Sequence, residues 1–169
     1  MLIQTTREDH QIAWFAALAI TIHIAESALP SPLPGIKPGL ANVVTIVVLM
    51  QFGWRMAVWV NLLRVIAGSL IIGTFLTPTF ILSLSGALAS TTSLVLLAQL
   101  PKPWQCSPIG YSVTAAMLHI LSQFWVAYWL FIQHDGLFHL LPPLMTASLF
   151  FGIVSGVISA NILAQLQKT

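Results

Sequence analysis

The stretch Met56–Phe75 has the sequence MAVWVNLLRVIAGSLIIGTF, in which Arg64 is the single charged side chain. A helix needs about 20 predominantly apolar residues to cross the hydrocarbon core of a bilayer, and this stretch is of that length. Thr77-Pro78 follows it, and proline interrupts a helix because it lacks the amide hydrogen and fixes φ. The stretch therefore predicts a transmembrane helix.

Further hydrophobic runs of the same kind lie on both sides, separated by prolines, glycines and single charges. The predicted helices are Ile12–Leu29, Gly39–Phe52, Met56–Phe75, Thr79–Leu100, Ile109–Gln133 and Leu140–Leu166. We predict an all-α fold, a polytopic membrane bundle of about six transmembrane helices that forms one integral membrane domain over residues 1–169. The first run does not follow a basic segment, so we expect it to stay as a helix rather than be cleaved as a signal peptide.

The composition excludes several classes of protein. Hydrophobic residues make up 57% of the 169 residues and charged residues 6%, against about 25% charged residues in soluble domains. The net charge of +2 comes from scattered basic residues, which form no patch that could follow a nucleic-acid backbone. The single cysteine, Cys106, cannot form an internal disulfide or supply a zinc or iron–sulfur motif.

The lysines and arginines predict the orientation in the membrane, because they are enriched on the cytoplasmic side. In the six-helix arrangement one side carries Arg7, Arg55, Lys102 and Lys168, and the other carries only Lys37. Both termini are therefore predicted to be cytoplasmic. The proline-rich loop Pro30–Pro38 then faces outward.

Arg64 is a candidate functional residue, because ionisable groups at membrane depth are costly. It lies in the middle of its run, and its spacing from Asn61 and Gly68 places all three on one helical face. We expect that face to point into the bundle. Two interpretations stay open: contact with an anionic or polar substrate, and a structural ion pair between helices.

Other polar residues in the predicted helices have similar alternatives. Glu26 is the only acid within a hydrophobic run; it could pair with Arg64 or Lys37, or reach interfacial water. His119 and Gln123 lie one turn apart, and His23 lies at a similar depth. Two facing histidines could hold a haem, but we favour polar lining of a pocket or helix contacts.

Small residues four apart allow helices to approach closely. Ala13 with Ala17 and Gly152 with Gly156 form two such pairs. Packing within the bundle is the favoured interpretation, and a docking face for a partner helix is the alternative.

No sequence motif indicates catalysis. The chain has no P-loop, no G-x-S-x-G and no H-E-x-x-H. Of its four acids only Glu8 and Asp9 are neighbours, whereas diphosphate chemistry normally needs clustered carboxylates to hold Mg²⁺. We predict that the chain is not an enzyme on its own, with no catalytic residue, metal site or cofactor.

Several segments carry a resemblance to a known family. The two most specific are Pro34–Thr45 (PGIKPGLANVVT) and Asn61–Ser69 (NLLRVIAGS), and weaker matches are Ser83–Ala87, Ser107–Gly110 and the pair His119 and Gln123. Together they resemble the Gx transporter family, over roughly residues 12–166. Its members often carry the label heptaprenyl diphosphate synthase component I. Pro38 replaces the apolar residue that is more frequent in the family.

This family is similar to the substrate-binding S components of energy-coupling factor transporters. The resemblance implies six helices, cytoplasmic termini and a substrate site near the outer face, under the loop between the first two helices. It also implies that an A-x-x-x-A motif, matched by Ala13 and Ala17, docks on a transmembrane coupling subunit that works with ATPases. Related proteins resemble the membrane component of flavin-based extracellular electron-transfer systems, which accompanies a NusG-II-like partner.

We therefore expect a binding and transport subunit of the bacterial cytoplasmic membrane that captures a small or amphiphilic substrate. The expected substrate-binding residues are Glu26, Lys37, Asn42, Asn61, Arg64, His119 and Gln123. The alternative is a component that handles a quinone or an isoprenoid in an electron-transfer or prenyl-diphosphate-associated complex. A purely structural assembly subunit is a third possibility.

Overall fold

The computed structural model of the chain describes residues 6–28 and 39–168. Six α-helices make up most of it: α1 (Arg7–Ala28), α2 (Leu40–Phe52), α3 (Trp54–Ile72), α4 (Pro78–Ala98), α5 (Pro108–Leu130) and α6 (Leu141–Leu166). Two short 3₁₀ helices, Lys102–Trp104 and Asp135–Leu140, precede α5 and α6. The described residues contain no β-strand, and the predicted all-α fold is confirmed.

Helix α1 begins at Arg7, earlier than the predicted Ile12, because polar residues cap its first turn. The backbone N–H of Thr6 donates to Asp9 Oδ2 at 2.7 Å, and the N–H of Asp9 donates back to Thr6 Oγ1 at 3.2 Å. These bonds satisfy amide groups that otherwise lack a partner at a helix start. The Thr6 N–H and the Thr6 hydroxyl, which also donates to Asp9 Oδ2 at 2.8 Å, hold the pKa of the Asp9 carboxyl below its usual range.

Helix α3 ends at Ile72 instead of continuing to the predicted Phe75. Gly73 adopts φ 80°, a left-handed conformation, and its N–H donates to the carbonyl of Leu70. Glycine adopts this conformation readily and commonly closes a helix. After a short turn, the side chain of Thr77 accepts from the N–H of Phe80 and caps α4, with Pro78 in its first turn.

Four segments are long and apolar enough to cross a membrane: Trp54–Ile72, Pro78–Ala98, Pro108–Leu130 and Asp135–Leu166, the last including the 3₁₀ helix before α6. Helix α2 is apolar but shorter. Helix α1 is long enough but is the least apolar of the six. These helices make the chain a membrane protein.

The other five helices form an open arc around α2. Contacts join α1 to α3, α3 to α4, α4 to α5 and α5 to α6, while α2 packs against α1, α3, α5 and α6. Every residue of α2 from Val43 to Leu49 is buried. The core of the bundle is thus centred on α2.

Helices α5 and α6 approach each other closely at two glycines. A Cβ atom at Gly152 would lie 3.0 Å from Val113 Cα, and one at Gly156 would lie 2.6 Å from Ile109 Cα. The Gly152 and Gly156 pair therefore serves packing within the bundle, as favoured from the sequence. Ala13 and Ala17 differ, since both are exposed on α1.

Candidate functional site

The shortness of α2 leaves space in one half of the bundle. At 1.5 Å per residue its 13 residues extend about 20 Å, against the roughly 30 Å of a hydrocarbon core. A cavity of about 540 Å³ occupies the half into which the N-terminus of α2 points, with Gly39 and Asn42 in its wall. This volume lies within the range of roughly 300–1,000 Å³ typical of small-molecule sites.

One wall of the cavity is polar and comes from α1, α2, α3 and α4. Its charged and ring-bearing members are His23, Glu26 and Arg64, joined by Asn42 and by the hydroxyl groups of Thr79, Ser83 and Ser90. Glu26 and Arg64 are 5% and 7% exposed, so the bundle removes both charges almost completely from its surroundings. Buried charges are costly unless they are paired or hydrogen-bonded.

Glu26 has hydrogen-bond partners at the start of α2. Its Oε1 accepts from the N–H of Leu40 at 2.5 Å and its Oε2 from the N–H of Ala41 at 3.5 Å. A carboxylate at this position satisfies free amide groups and interacts favourably with the positive end of the helix dipole. Glu26 therefore joins the end of α1 to the start of α2.

Arg64 lies on the same wall, and Glu26 acts on it electrostatically. Its buried Nε has no hydrogen-bond partner among the described residues. Guanidinium groups present several N–H donors in a rigid fork that matches a carboxylate or phosphate. Arg64 thus has a buried donor without a partner among the described residues, and its side chain lines the cavity.

His119 and Gln123 line the cavity from α5 and lie 3.0 Å apart, Nε2 to Nε2. The His119 ring packs against the backbone of α4 at Gly86, where a Cβ atom would lie 2.7–2.8 Å from three ring atoms. Nearby, Ser122 Oγ donates to the carbonyl of Ser85 at 3.1 Å. The position of His119 therefore depends on a glycine of the neighbouring helix.

The wall from α5, α6 and the 3₁₀ helix between them carries His119, Gln123, Ser148 and Ser155, and its apolar side chains are called the apolar wall. Its members are Ile120, Phe124, Ile132, Leu137, Leu140, Leu144 and Phe151. The ring of Phe138 packs on Phe124 and Tyr128 at centroid distances of 5.3 Å and 5.1 Å. This aromatic cluster fixes the 3₁₀ helix against α5.

A second cavity of about 210 Å³ adjoins the polar wall between α1, α3 and α4. It shares His23, Val65, Thr79 and Ser83 with the larger one. The His23 ring lies over Gly68, where a Cβ atom would be 3.2 Å from its Cδ2. Each cavity-lining histidine is thus seated on a glycine of an adjacent helix.

The structure brings together five of the seven residues predicted to bind substrate: Glu26, Asn42, Arg64, His119 and Gln123 all line the large cavity. Asn61 is buried with Arg64 and Gly68, as its spacing predicted, but it faces α4. Its Nδ2 donates to the carbonyl of Ala87 and to Thr91 Oγ1. Lys37, and with it the loop Pro30–Pro38, lies outside the described residues.

Sequence reasoning did not identify the small residues that shape the cavity. Ser83, Ser148, Gly152 and Ser155 line it, and Gly86 seats His119. Ser83 and Gly86 do lie in the segment Ser83–Ala87, which carried part of the family resemblance. Ser148 and Ser155 carry no signal in a single sequence, since small polar residues are frequent at helix contacts in membranes.

No group of three or more His, Cys, Asp and Glu side chains within residues 6–28 and 39–168 is placed to hold a metal ion. The two acids nearest in sequence, Glu8 and Asp9, are exposed on the first turn of α1. Glu26 is the only acid among the described residues that line the large cavity.

Comparisons with known proteins give the family. A family model described as heptaprenyl diphosphate synthase component I matches residues 15–162. No curated protein and no solved structure matches the chain. The matched region includes every described residue that lines the large cavity. The family match and the candidate site therefore cover the same part of the molecule. The chain belongs to the heptaprenyl diphosphate synthase component I family of membrane proteins.

Proposed function

We propose that this chain is a non-catalytic membrane subunit that binds a small amphiphilic ligand in the large cavity. One observation carries the proposal: a cavity of about 540 Å³ is lined by buried Arg64, whose Nε has no partner among the described residues, and by apolar side chains of α5 and α6. An amphiphile would satisfy both walls. Its polar group would accept from Arg64, and its apolar part would lie against α5 and α6.

The ionic-pair interpretation of Arg64 is the main competitor. The carboxylate of Glu26 already accepts two N–H groups of α2, which favours a capping role for Glu26. Arg64 is then left with the ligand as a partner for its donors. The two interpretations differ in what the loss of Arg64 does to the fold.

The test compares ligand retention in matched variants. Native mass spectrometry of the detergent-purified protein should show a stoichiometric small molecule, and Arg64→Leu should lose it while remaining folded. Hydrogen bonds to a charged group contribute about 1.5–3 kcal/mol, so binding should weaken roughly 10- to 100-fold. Arg55→Leu is the control, because Arg55 is exposed on the same helix over the Trp54 ring. A variant Arg64→Leu that fails to fold would favour the structural ion pair.

A second candidate function uses the same cavity. His119 and Gln123 line the cavity together with Phe124 and Phe151, and such a set suits the carbonyl groups and ring of a quinone or the chain of an isoprenoid. Co-purified quinone or polyprenyl lipid would support this alternative. A haem absorption band would support ligation by His23 and His119, which line the cavity together.

We also propose that transport by this chain depends on a partner, since its sequence has no ATP-binding motif. Ala13 and Ala17 are exposed on α1 beside Trp14, which is 79% exposed. A helix of a coupling subunit or of a NusG-II-like protein would dock there. Native mass spectrometry of the protein extracted from its own membrane tests this, because a bound subunit adds its mass and Ala17→Leu should remove it.

A further inference from the structure

The charges that face the large cavity restrict the ligand. Among the described lining residues, Arg64 is the only lysine or arginine and Glu26 the only acid. Both lie on the polar wall, and Glu26 acts on Arg64 electrostatically. The ligand's polar group must therefore suit one guanidinium with a carboxylate close by.

The negative charge of Glu26 is partly compensated without Arg64. Its two oxygens accept from Leu40 and Ala41 in the first turn of α2, and a helix N-terminus carries the equivalent of about half a positive charge. The polar wall thus keeps a modest positive excess. That excess can offset one negative charge on a ligand, but not several.

The guanidinium group of Arg64, which lines the cavity, indicates the chemical form of that negative charge. Arg64 is 7% exposed, and its Nε lacks a partner among the described residues. The planar guanidinium matches the two oxygens of a carboxylate in a bidentate arrangement. A neutral alcohol has a single oxygen as acceptor, so it cannot form the bidentate pair of hydrogen bonds with the guanidinium.

Resting on the proposed function, we infer that the ligand is a monocarboxylate amphiphile. Its carboxylate binds Arg64 on the polar wall, and its hydrocarbon part lies along Ile120, Phe124 and Phe151 on the apolar wall. A diphosphate is disfavoured, because its additional charges would meet Glu26 with no second lysine or arginine among the described lining residues and no described acid cluster to hold Mg²⁺.

The test uses three probes that share one branched hydrocarbon tail: geraniol, geranic acid and geranyl diphosphate. Binding to the full chain in nanodiscs is measured by isothermal titration calorimetry. Geranic acid should bind about tenfold or more tightly than either other probe, which corresponds to about 1.4 kcal/mol per tenfold step. Arg64→Leu should remove the preference for geranic acid over geraniol while geraniol still binds, and Arg55→Leu should preserve it.

The outcomes separate the headgroup from the proposed function. Tighter binding of geranyl diphosphate, or equal binding of geranic acid and geraniol, would overturn the monocarboxylate and leave an amphiphile site in place. If no probe binds, the ligand that co-purifies decides: a carboxylic acid supports the inference and any other headgroup overturns it. If no probe binds and nothing co-purifies, both the inference and the proposed function are wrong.

Discussion

At the scale of single residues, the positions of the two histidine rings in the cavity wall depend on glycines of the neighbouring helices. Gly86 has no Cβ atom, and the His119 imidazole occupies the space that such an atom would need. Gly68 leaves similar room for His23, with a less severe approach of 3.2 Å. Each glycine lets an imidazole lie back against a helix and keeps the volume of the cavity free.

Gly86→Ala should therefore reduce ligand binding by displacing His119 toward the cavity. Overpacking of this kind costs about 1–3 kcal/mol, and we expect roughly tenfold weaker binding with a lowered Tm. Gly68→Ala is the graded comparison and should have a smaller effect, since its new contact is longer. Binding that is unchanged in Gly86→Ala, with His119 still hydrogen-bonded to Gln123, would show that the glycine is dispensable.

The buried position of Arg64 could be predicted from the sequence, because a charged residue in the middle of a hydrophobic run is costly unless it faces the interior of the bundle. Asn61 could not be separated from it. Both are buried on the same side of α3, but Asn61 donates to α4. Residues three apart on a helix share a side without pointing at the same neighbour, so only packing decides which of them reaches the cavity.

At the scale of elements, the N-terminus of α2 organises the polar wall. Gly39 precedes α2 in the left-handed conformation at φ 71° and offers no side-chain cap. Glu26 of α1 supplies the missing acceptor, and Ser155 of α6 donates to the Gly39 carbonyl at 3.3 Å. Two helices distant in sequence thus fix the start of the shortest one.

Glu26→Ala should destabilise the bundle by about 1–2 kcal/mol, the usual cost of removing a helix-capping side chain. Glu26→Gln should cost less, because one amide oxygen still accepts from the helix start. Thermal unfolding in detergent, followed by circular dichroism, measures both variants. Equal loss of stability in the two would indicate that charge, rather than the capping hydrogen bonds, is what α2 needs from Glu26.

The elements themselves could be predicted from runs of apolar residues, and their ends only where a cap was recognised. The alternation of long runs with proline and glycine gave all six helices. Thr6 and Asp9 cap the start of α1. The same pair of residue types also occurs in sequences where no helix begins, so it does not by itself predict a cap. Glu26 caps α2 although residues 29–38 separate α1 from the start of α2, so no local sequence pattern predicts this contact.

At the scale of the whole molecule, the cavity exists because α2 is too short to fill the space between the other helices along their full length. The remaining half is bounded by the ends of α1, α3 and α5 and by the starts of α4 and α6. Composition and run length predicted a membrane bundle. They could not predict an asymmetric interior, since that depends on how the helices pack around α2. That the cavity faces outward remains a prediction from the lysines and arginines.

The measurement that most directly tests the cavity is thiol labelling from outside the cell in a Cys106→Ser background. Ser83 lies in the wall of the cavity, whereas Ser93 on the same helix is buried outside it. A membrane-impermeant reagent added outside should label Ser83→Cys, and bound ligand should block that labelling, while Ser93→Cys stays unlabelled. Equal labelling of both variants, or no protection of Ser83→Cys by ligand, would contradict a ligand cavity confined to the outer half of the bundle.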